Sequence, residues 1–273
     1  MQKLPSLTFV VPVNNDKVFQ NNFMVSPCLG DWTHHQLLVQ RGFDSAATAY
    51  NDAICNSRND LIVFTHSDMV FPRLWLEDLR KALTWLETKD PEWGVLGCYG
   101  ETLNDNGRGY VYSPGRGILG RAFAQPEVVQ TLDEIVLILR KSSGLRFDEE
   151  LPNFHFYGAD ICMAAVEQGR KNYAIPALCI HNTHQQLVLP PEFYESCKRL
   201  KQRWKKFLPI QTTCTRVTRF NLPVYQRRLQ ELYLRKIRRI EFGATRVEDG
   251  RQVLAELERL IPNQAECSVE NLR

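Results

Sequence analysis

The chain has 273 residues, of which 44% are hydrophobic, and a formal net charge of +3. This length and composition suffice for one large α/β domain with an appendage, or for two modest domains. No segment approaches the roughly 18 apolar residues that cross a bilayer, and the opening MQKLPSLTFVVPV lacks a signal-peptide cleavage site. The eight cysteines are scattered without a Cys-x-x-Cys pair, which favours neither a zinc ribbon nor a disulfide framework. We therefore expect a folded, cytoplasmic protein.

Alternating apolar runs and helical patterns predict an α/β fold. Strand-like runs occupy residues 7–13, 36–39, 61–65, 94–99 and 173–180. Between the second and third runs, DSAATAYNDAICNSR predicts a helix with Asp44 or Ser45 as its N-cap. A second helix, PRLWLEDLRKALTWLETKD, is expected to begin near Pro72. Such an order predicts a mostly parallel, Rossmann-like sheet flanked by helices, with ligands at the carboxyl ends of the strands.

The third strand ends in polar residues, NDLIVFTHSDMVFP. The apolar run from Leu61 to Thr65 does not alternate, which is typical of a strand buried on both faces. His66 and Asp68 follow it, and in an extended segment their side chains would point to the same side and address one divalent ion. The alternative is that Asp68 caps the helix after Pro72 and that His66 is a buried histidine.

Two further segments have unusual composition. NDNGRGYVYSPGRGILGRAF, residues 104–123, is rich in Gly and Arg and is predicted to be a flexible loop near the active site. From Lys198 to Arg239 there are fourteen Lys and Arg against the single acidic Glu231, so the segment carries about +13 and the remaining 20 basic and 30 acidic residues sum to about −10. Its apolar residues have helical spacing. We expect helices that pack this apolar face on the main domain or on a second subunit and turn Lys and Arg outward.

Three blocks of sequence resemble the A-type (GT-A) nucleotide-sugar glycosyltransferases, in particular the family 2 group. These blocks are LTFVVPVNN, SAATAYNDAICNSRNDLIVFTHSDMVFP and FDEELPNFHFYGADICMAAVEQGRKNYAIPALCIHN. The likeness spans about residues 5–185 in order and spacing, and HSD corresponds to a His-x-Asp form of the family's Asp-x-Asp metal motif. The resemblance implies a GT-A catalytic domain over residues 1–188 and leaves 189–273 as a basic helical extension.

The resemblance also implies roles for individual residues. The nucleotide-binding positions are Pro12, Val13, Asn14, Arg41, Asn51 and Ser67. His66, Asp68 and His181 would hold a divalent metal, Mn or Mg, and Asp160 matches the family's catalytic carboxylate. Asp133 is a secondary acceptor-binding candidate.

The sequence departs from the family pattern at three places, one of which is that no Asp clearly closes the second strand, where many members hold the uracil or ribose. Ala159 stands where the family has the Glu of its Glu-Asp pair, and His66 stands where it has the first Asp of the metal motif. Asp160 has an alternative role as the N-cap of the helix that follows it. His181 has an alternative as a half-buried histidine at a strand end.

The predicted reaction is transfer of a sugar from a nucleotide diphospho-sugar to an acceptor hydroxyl, with inversion implied by the family resemblance. The acceptor would be a saccharide, a lipid-linked molecule or another hydroxyl compound. Peripheral membrane contact or a homo-oligomer through the C-terminal helices is also considered, whereas nucleic acid is not expected as a partner. The alternative is a catalytically silent α/β scaffold whose basic segment binds nucleic acid or an anionic membrane.

Overall fold

A computed structural model of the chain describes residues 5–30, 34–104, 107–184, 188–240, 243 and 245–261. The strands are β1 Leu7–Pro12, β2 Gln36–Gln40, β3 Leu61–Thr65, β4 Met69–Val70, β5 Leu96–Gly97, β6 Tyr99–Glu101, β7 Gly107–Ser113, β8 Gly117–Gly120, β9 Glu127–Val129, β10 Thr131–Leu132, β11 Val136–Arg140, β12 Asn172–Ala174, β13 Cys179–His181, β14 Ile210–Gln211 and β15 Arg216–Val217. The α-helices are α1 Asp16–Asn21, α2 Ala46–Asn56, α3 Trp75–Lys89, α4 Tyr157–Glu167, α5 Pro191–Arg203, α6 Leu222–Lys236 and α7 Gly250–Leu260.

The main sheet has seven strands in the order β2-β1-β3-β11-β5-β12-β9. β1 pairs in parallel with β2 and β3, and β5 pairs in parallel with β12. β11 is antiparallel to both β3 and β5, and β9 is antiparallel to β12. Most strands therefore run in one direction, which confirms the predicted α/β fold, while β11 and β9 make the sheet mixed.

Both faces of this sheet are buried, which explains the unbroken apolar runs in the sequence. In β3, Ile62 and Phe64 belong to a core shared with α2 and α4, whereas Leu61 and Val63 belong to a second core shared with α3. Successive side chains of a strand point to opposite faces, so a strand covered on both sides is apolar at nearly every position. Thr65, the polar residue of β3, donates its hydroxyl to the Ile135 carbonyl. The two helical layers predicted around the sheet are thus confirmed.

The N-termini of α2 and α3 decide between the capping residues that the sequence suggested. Ser45 is the N-cap of α2, and its side chain accepts a hydrogen bond from the Thr48 backbone. α3 begins at Trp75 after Leu74, with no side-chain cap. Asp68 therefore does not cap α3, and that alternative is wrong.

A second sheet, in the order β10-β6-β7-β13-β4 with β8 beside β7, corrects two predictions. The Gly- and Arg-rich segment is not a loop, because it forms the β7–β8 hairpin; residues 105 and 106 lie outside the described part. Its glycines permit close backbone approach: a Cβ on Gly109 would lie 2.3 Å from the Cys98 carbonyl, and one on Gly120 would lie 2.0 Å from the Gly109 carbonyl. The run at 173–180 is not one strand but two, β12 in the main sheet and β13 in the second.

The C-terminal extension packs against the rest of the chain. Helix α5 buries Phe193 and Leu200 in the core that also contains residues of α2 and α4. Trp204, the residue after α5, is buried in the same core. Val253 and Leu257 of α7 are buried with residues of β4, β7 and β13. Among the described residues, no helix combines the length and hydropathy needed to cross a bilayer.

Candidate functional site

An open crevice of about 320 Å³ lies at the carboxyl ends of β1 and β3. This is the edge at which ligands gather in α/β sheets. Its lining residues come from the ends of strands, from loops, from helix α2 and from the C-terminal extension. They are Pro12, Val13, Asn14, Gln40, Gly42, Phe43, Ala49, His66, Ser67, Asp68, Phe154 and Arg246.

The segment His66–Asp68 is a turn between β3 and β4 rather than an extended stretch. The Met69 backbone donates to the His66 carbonyl at 3.4 Å, which closes the turn. β4 then pairs antiparallel with β13, so that Met69 lies opposite His181. The Asn182 backbone also donates to the Asp68 carbonyl at 2.9 Å. Strand pairing therefore brings His181 beside Asp68, although 113 positions separate them in sequence.

His66, Asp68 and His181 form a cluster with the composition of a metal site. Each offers one ligand atom, and these atoms all lie within 4.8 Å of one another. His181 Nε2 is 3.5 Å from Asp68 Oδ1, and the two imidazole centroids are 5.7 Å apart. Among the residues that the structure describes, this is the one group of three such side chains. Two imidazoles and a carboxylate suit a borderline transition metal.

The protonation states are set by burial and by neighbouring charge. Burial lowers the pKa of His66, which favours the neutral imidazole that binds metals. Burial would raise the pKa of the Asp68 carboxyl, but His181, His66 and Arg246 together hold it well below its ordinary value. Burial likewise opposes a charged His181, but the adjacent Asp68 carboxylate raises the pKa of His181. Asp68 is therefore an anion surrounded by Arg246 and the two histidines.

A buried tyrosine orients His66. His66 Nε2 and the Tyr157 hydroxyl are 2.9 Å apart, and the same hydroxyl donates to the Glu134 carbonyl at 3.2 Å. Tyr157 is the first residue of α4 and follows Phe156, which has a left-handed backbone with φ of 66°. The start of α4 thus supplies an outer contact to the cluster, which the sequence patterns did not indicate.

Arg246 is the principal residue of the crevice that sequence reasoning missed. Its guanidinium donates to Asp68 Oδ2 from Nη2 at 3.0 Å and from Nε at 3.3 Å. The surrounding segment is held by Asn182, whose side chain donates to the Val247 carbonyl and accepts from the Val247 backbone. The C-terminal extension therefore contributes a cation directly to the predicted metal ligand.

Most of the predicted nucleotide-binding residues lie together, but two do not. Pro12, Val13, Asn14 and Ser67 line the crevice. Arg41 forms an exposed ion pair with Asp16, and its neighbours Gln40 and Gly42 line the crevice instead. The Asn51 side chain binds the Phe147 backbone in both directions and the Glu149 carboxylate. Arg41 and Asn51 are thus engaged elsewhere, and neither is among the described lining residues.

The profile of a family described as "Glycosyltransferase like family" matches residues 8–190. This span includes β1, the His66–Asp68 turn, α4 and His181. The chain belongs to this glycosyltransferase-like family.

Individual relatives are more distant. The chain is 28% identical over 153 residues to the protein named ATP synthase subunits region ORF 6 of Fuscovulum blasticum, a match that covers 54% of this chain and 61% of that one. GalNAc-T7, solved with UDP, GalNAc and Mn²⁺, is similar with a TM-score of 0.50 and 9% identity over 75% of this chain and 49% of that one. A mannosyltransferase of Pyrobaculum calidifontis, solved with GDP-Man and Mn²⁺, has a TM-score of 0.43 and 14% identity over 86% and 71% of the two chains. The likeness to GalNAc-T7 supports the GT-A fold.

Asp160, the family's catalytic carboxylate by resemblance, lies in the first turn of α4 and is 1% exposed. It is not the N-cap, which is Phe156, so that alternative is wrong. Its two oxygens accept hydrogen bonds from Trp204 Nε1 and Arg203 Nη1, both at 2.7 Å. Asp160 is not among the described residues that line the crevice. The structure gives it a contact with the C-terminal extension, and its role as a base stays a prediction.

Two more carboxylates lie behind the site. The Asp133 side chain accepts a hydrogen bond from the Ile135 backbone at 3.2 Å. Glu134 accepts from the Gly158 backbone at the start of α4, and burial, with a contribution from Asp133, raises the pKa of Glu134 to about 8. Glu134 is therefore largely protonated at neutral pH. The assignment of Asp133 to an acceptor stays a prediction.

Replacing Asp160 with Asn should remove a pH dependence of stability. Burial raises the pKa of Asp160 to about 6 despite Arg203 and Trp204, whereas an unfolded aspartate has a pKa of about 3.9. The folded state therefore favours the protonated carboxyl, and the stability that this group contributes declines as pH rises from about 4 to about 6. The decline is on the order of 3 kcal/mol. Urea unfolding across this pH range should show a smaller decline in Asp160→Asn than in the wild type, by about this amount, because the raised pKa of Glu134 contributes a decline to both proteins.

Asp52→Asn, a substitution on the partly exposed face of α2, is the matched control and should retain the wild-type pH profile. Identical profiles for wild type and Asp160→Asn would contradict the raised pKa.

Proposed function

We propose that this chain is a divalent-metal-dependent glycosyltransferase that moves a sugar from a nucleotide diphospho-sugar to an acceptor hydroxyl. The observation that carries the proposal is the convergence of His66, Asp68 and His181, of which His66 and Asp68 line the crevice beside the end of β1. Membership of the glycosyltransferase-like family supports the reaction class. The UDP, GalNAc and Mn²⁺ in the GalNAc-T7 structure belong to that protein, and we extend their chemistry to this chain only as a proposal.

The ligand set favours manganese over magnesium. Mg²⁺ prefers an octahedral shell of oxygens, whereas Mn²⁺ tolerates mixed nitrogen and oxygen ligands. His66 and His181 supply two nitrogens and Asp68 a carboxylate, which leaves other coordination positions for water and phosphate. A bound metal would neutralise charge on the departing diphosphate.

The chain's own residues have separate roles in the proposal. Pro12, Val13 and Asn14 line the nucleotide pocket, and Ser67 contacts the phosphates. Asp160 takes the proton of the acceptor hydroxyl. At the same time, the acceptor oxygen bonds to the anomeric carbon of the sugar, and the bond between that carbon and the diphosphate oxygen breaks. Inversion at the anomeric carbon accompanies this single displacement.

Asp160 would need to exchange its bonds to Arg203 and Trp204 before it could act as a base, since both of its oxygens are occupied. Asp160→Asn should then lower turnover by about a hundredfold or more while donor affinity is kept. Normal turnover would leave Asp160 with only the structural role at α5. Residues 1–188 form the catalytic part in this proposal, residues 189–273 complete the site, and the cytoplasmic location stays a prediction.

Loss of the Asp68 carboxylate should abolish metal-dependent nucleotide binding. In thermal unfolding with UDP and GDP, the wild type should be stabilised more with Mn²⁺ than with EDTA, because ligands that bind only the folded state raise the melting temperature. Asp68→Asn should lose the Mn²⁺-dependent increment, since an amide is a poor ligand.

Asp90→Asn, which removes a carboxylate that binds Tyr173 away from the cluster, is the control and should keep the increment. Equal nucleotide stabilisation in EDTA and Mn²⁺, unchanged by Asp68→Asn, would contradict the proposal. Salt-sensitive binding to nucleic acid or lipid without any nucleotide effect would favour the silent scaffold.

Arg246 gives this site a further property under the same proposal. Its guanidinium donates to Asp68 Oδ2, and His181 lies beside Asp68 Oδ1. The guanidinium is therefore next to the position that a divalent cation would occupy. Two cations so close repel each other unless an anion lies between them. A diphosphate would supply that anion and accept the bidentate guanidinium. Metal and nucleotide should therefore bind synergistically.

Arg246→Gln should weaken this synergy. Calorimetric titration of the wild type should give weak Mn²⁺ binding alone and binding at least about tenfold tighter with UDP or GDP present, a coupling that corresponds to about 1.4 kcal/mol. In Arg246→Gln, Mn²⁺ alone should bind more tightly and the coupling should shrink. Arg251→Gln, an exposed residue at the start of α7, is the control. Coupling of wild-type size in Arg246→Gln would show that the guanidinium does not act on the diphosphate.

A further inference from the structure

Helix α6 is oriented opposite to the sequence expectation, with its arginines toward the body of the protein. Arg227 Nε binds the buried Glu231 carboxylate at 3.1 Å, and Arg235 Nη2 donates to the Leu189 carbonyl at 2.9 Å. The Arg228 guanidinium lies over the Tyr194 ring, 5.6 Å from its centroid. The contacts of Arg228 and Arg235 hold one face of α6 against α5 and the segment before it, whereas the Arg227–Glu231 pair lies within α6.

The opposite face carries large apolar side chains that are exposed. Their positions three or four residues apart place them on one side of the helix, extended at its two ends by a flanking residue. The exposed fractions are Phe220 83%, Leu222 61%, Tyr225 58%, Leu229 66%, Leu232 46%, Tyr233 54% and Ile237 66%. We refer to these seven residues as the α6 stripe. For α6, packing of this apolar face on the main domain is therefore wrong, and its packing on a second subunit stays a prediction. Helix α5 does pack on the main domain as expected.

The charge around the stripe decides what covers it. Lys236, Arg238 and Arg239 are exposed beside its C-terminal end, and the one acidic residue between Lys198 and Arg239 is the buried Glu231. Two copies joined stripe to stripe, in either orientation, would bring no exposed acidic residue of this segment against the basic residues, because Glu231 is buried. Nucleic acid would compensate the charge but would leave the leucines and Ile237 without an apolar partner.

We propose that the α6 stripe docks on an anionic lipid surface. An anionic bilayer offers both requirements at once, since its acyl boundary accepts Leu229 and Leu232 and its headgroups attract the basic rim. Tyr225 and Tyr233 suit the boundary because a tyrosine has an apolar ring and a polar hydroxyl. The proposal does not depend on the metal site or on the reaction proposed above.

Vesicle flotation with the full chain tests the apolar part of this surface. The wild type should float with vesicles of phosphatidylcholine mixed with phosphatidylglycerol and should remain behind with phosphatidylcholine alone. The double variant Leu229→Glu, Leu232→Glu should lose flotation. The matched control is Leu260→Glu in α7, which changes a leucine of similar exposure, 57%, and should float like the wild type. Circular dichroism and thermal unfolding check that each variant is folded.

The same assay tests the basic rim. The double variant Lys236→Glu, Arg238→Glu should bind the mixed vesicles roughly tenfold or more weakly at low salt, and added salt should weaken wild-type binding. Lys89→Glu at the end of α3 is the control and should have little effect.

Three results would overturn the proposal. The first is no wild-type flotation with either vesicle. The second is equal loss of flotation in Leu260→Glu and in the α6 double variant. The third is a dimer in sedimentation equilibrium that the α6 double variant abolishes while vesicles remain unbound, which would make the stripe a contact between two copies.

Discussion

The carboxylate of Asp68 ties three separate parts of the chain together. It belongs to the turn after β3, lies beside His181 at the end of β13, and accepts two hydrogen bonds from Arg246 of the C-terminal extension. A buried carboxylate is costly unless positive charge and hydrogen bonds surround it. The position of the C-terminal extension at the crevice is therefore coupled to the negative charge of Asp68, the proposed metal ligand.

The extension makes a second charged contact with the body at Asp160. Arg203 and Trp204 at the end of α5 bind both oxygens of this buried carboxylate, and Arg203 also lies 3.2 Å from Asp148. The apolar side of α5 is buried in the core around α2 and α4. The C-terminal extension thus contacts the body at two buried carboxylates, of which Asp68 lines the crevice and Asp160 does not. A change in the segment before α7 is therefore expected to affect the crevice as well as packing.

The sequence predicted best the positions of residues that come directly after buried strands. An unbroken apolar run identifies β3 because both faces of the sheet are covered, and the polar residues after it necessarily lie at the ligand edge. His181 was named through family resemblance, and the β4–β13 pairing is the physical reason that it reaches Asp68. The sequence predicted Asp44 or Ser45 as the N-cap of α2, and the structure has Ser45 there.

The remaining features depend on contacts that no local pattern records. Arg246 lies 178 positions from Asp68, in a segment without a recognisable motif. Gly109 and Gly120 looked like loop residues, but they are required where strands approach too closely for a Cβ. The helical period of α6 was predicted correctly, but the period does not record that Arg228 and Arg235 contact α5 and the segment before it, which leaves the apolar side exposed. Arg41 was predicted to bind the nucleotide, but its two neighbours, Gln40 and Gly42, are the residues that line the crevice.

The central claim is that His66, Asp68 and His181 bind one divalent metal that holds a nucleotide diphosphate. Crystals grown with Mn²⁺ and UDP or GDP, measured at the manganese absorption edge, test it directly. The account predicts one strong anomalous peak bonded to all three side chains and to phosphate oxygens, with the Arg246 guanidinium moved from Asp68 Oδ2 to the diphosphate. A bound nucleotide with no anomalous peak at these three residues, or a peak at other ligands, would contradict it.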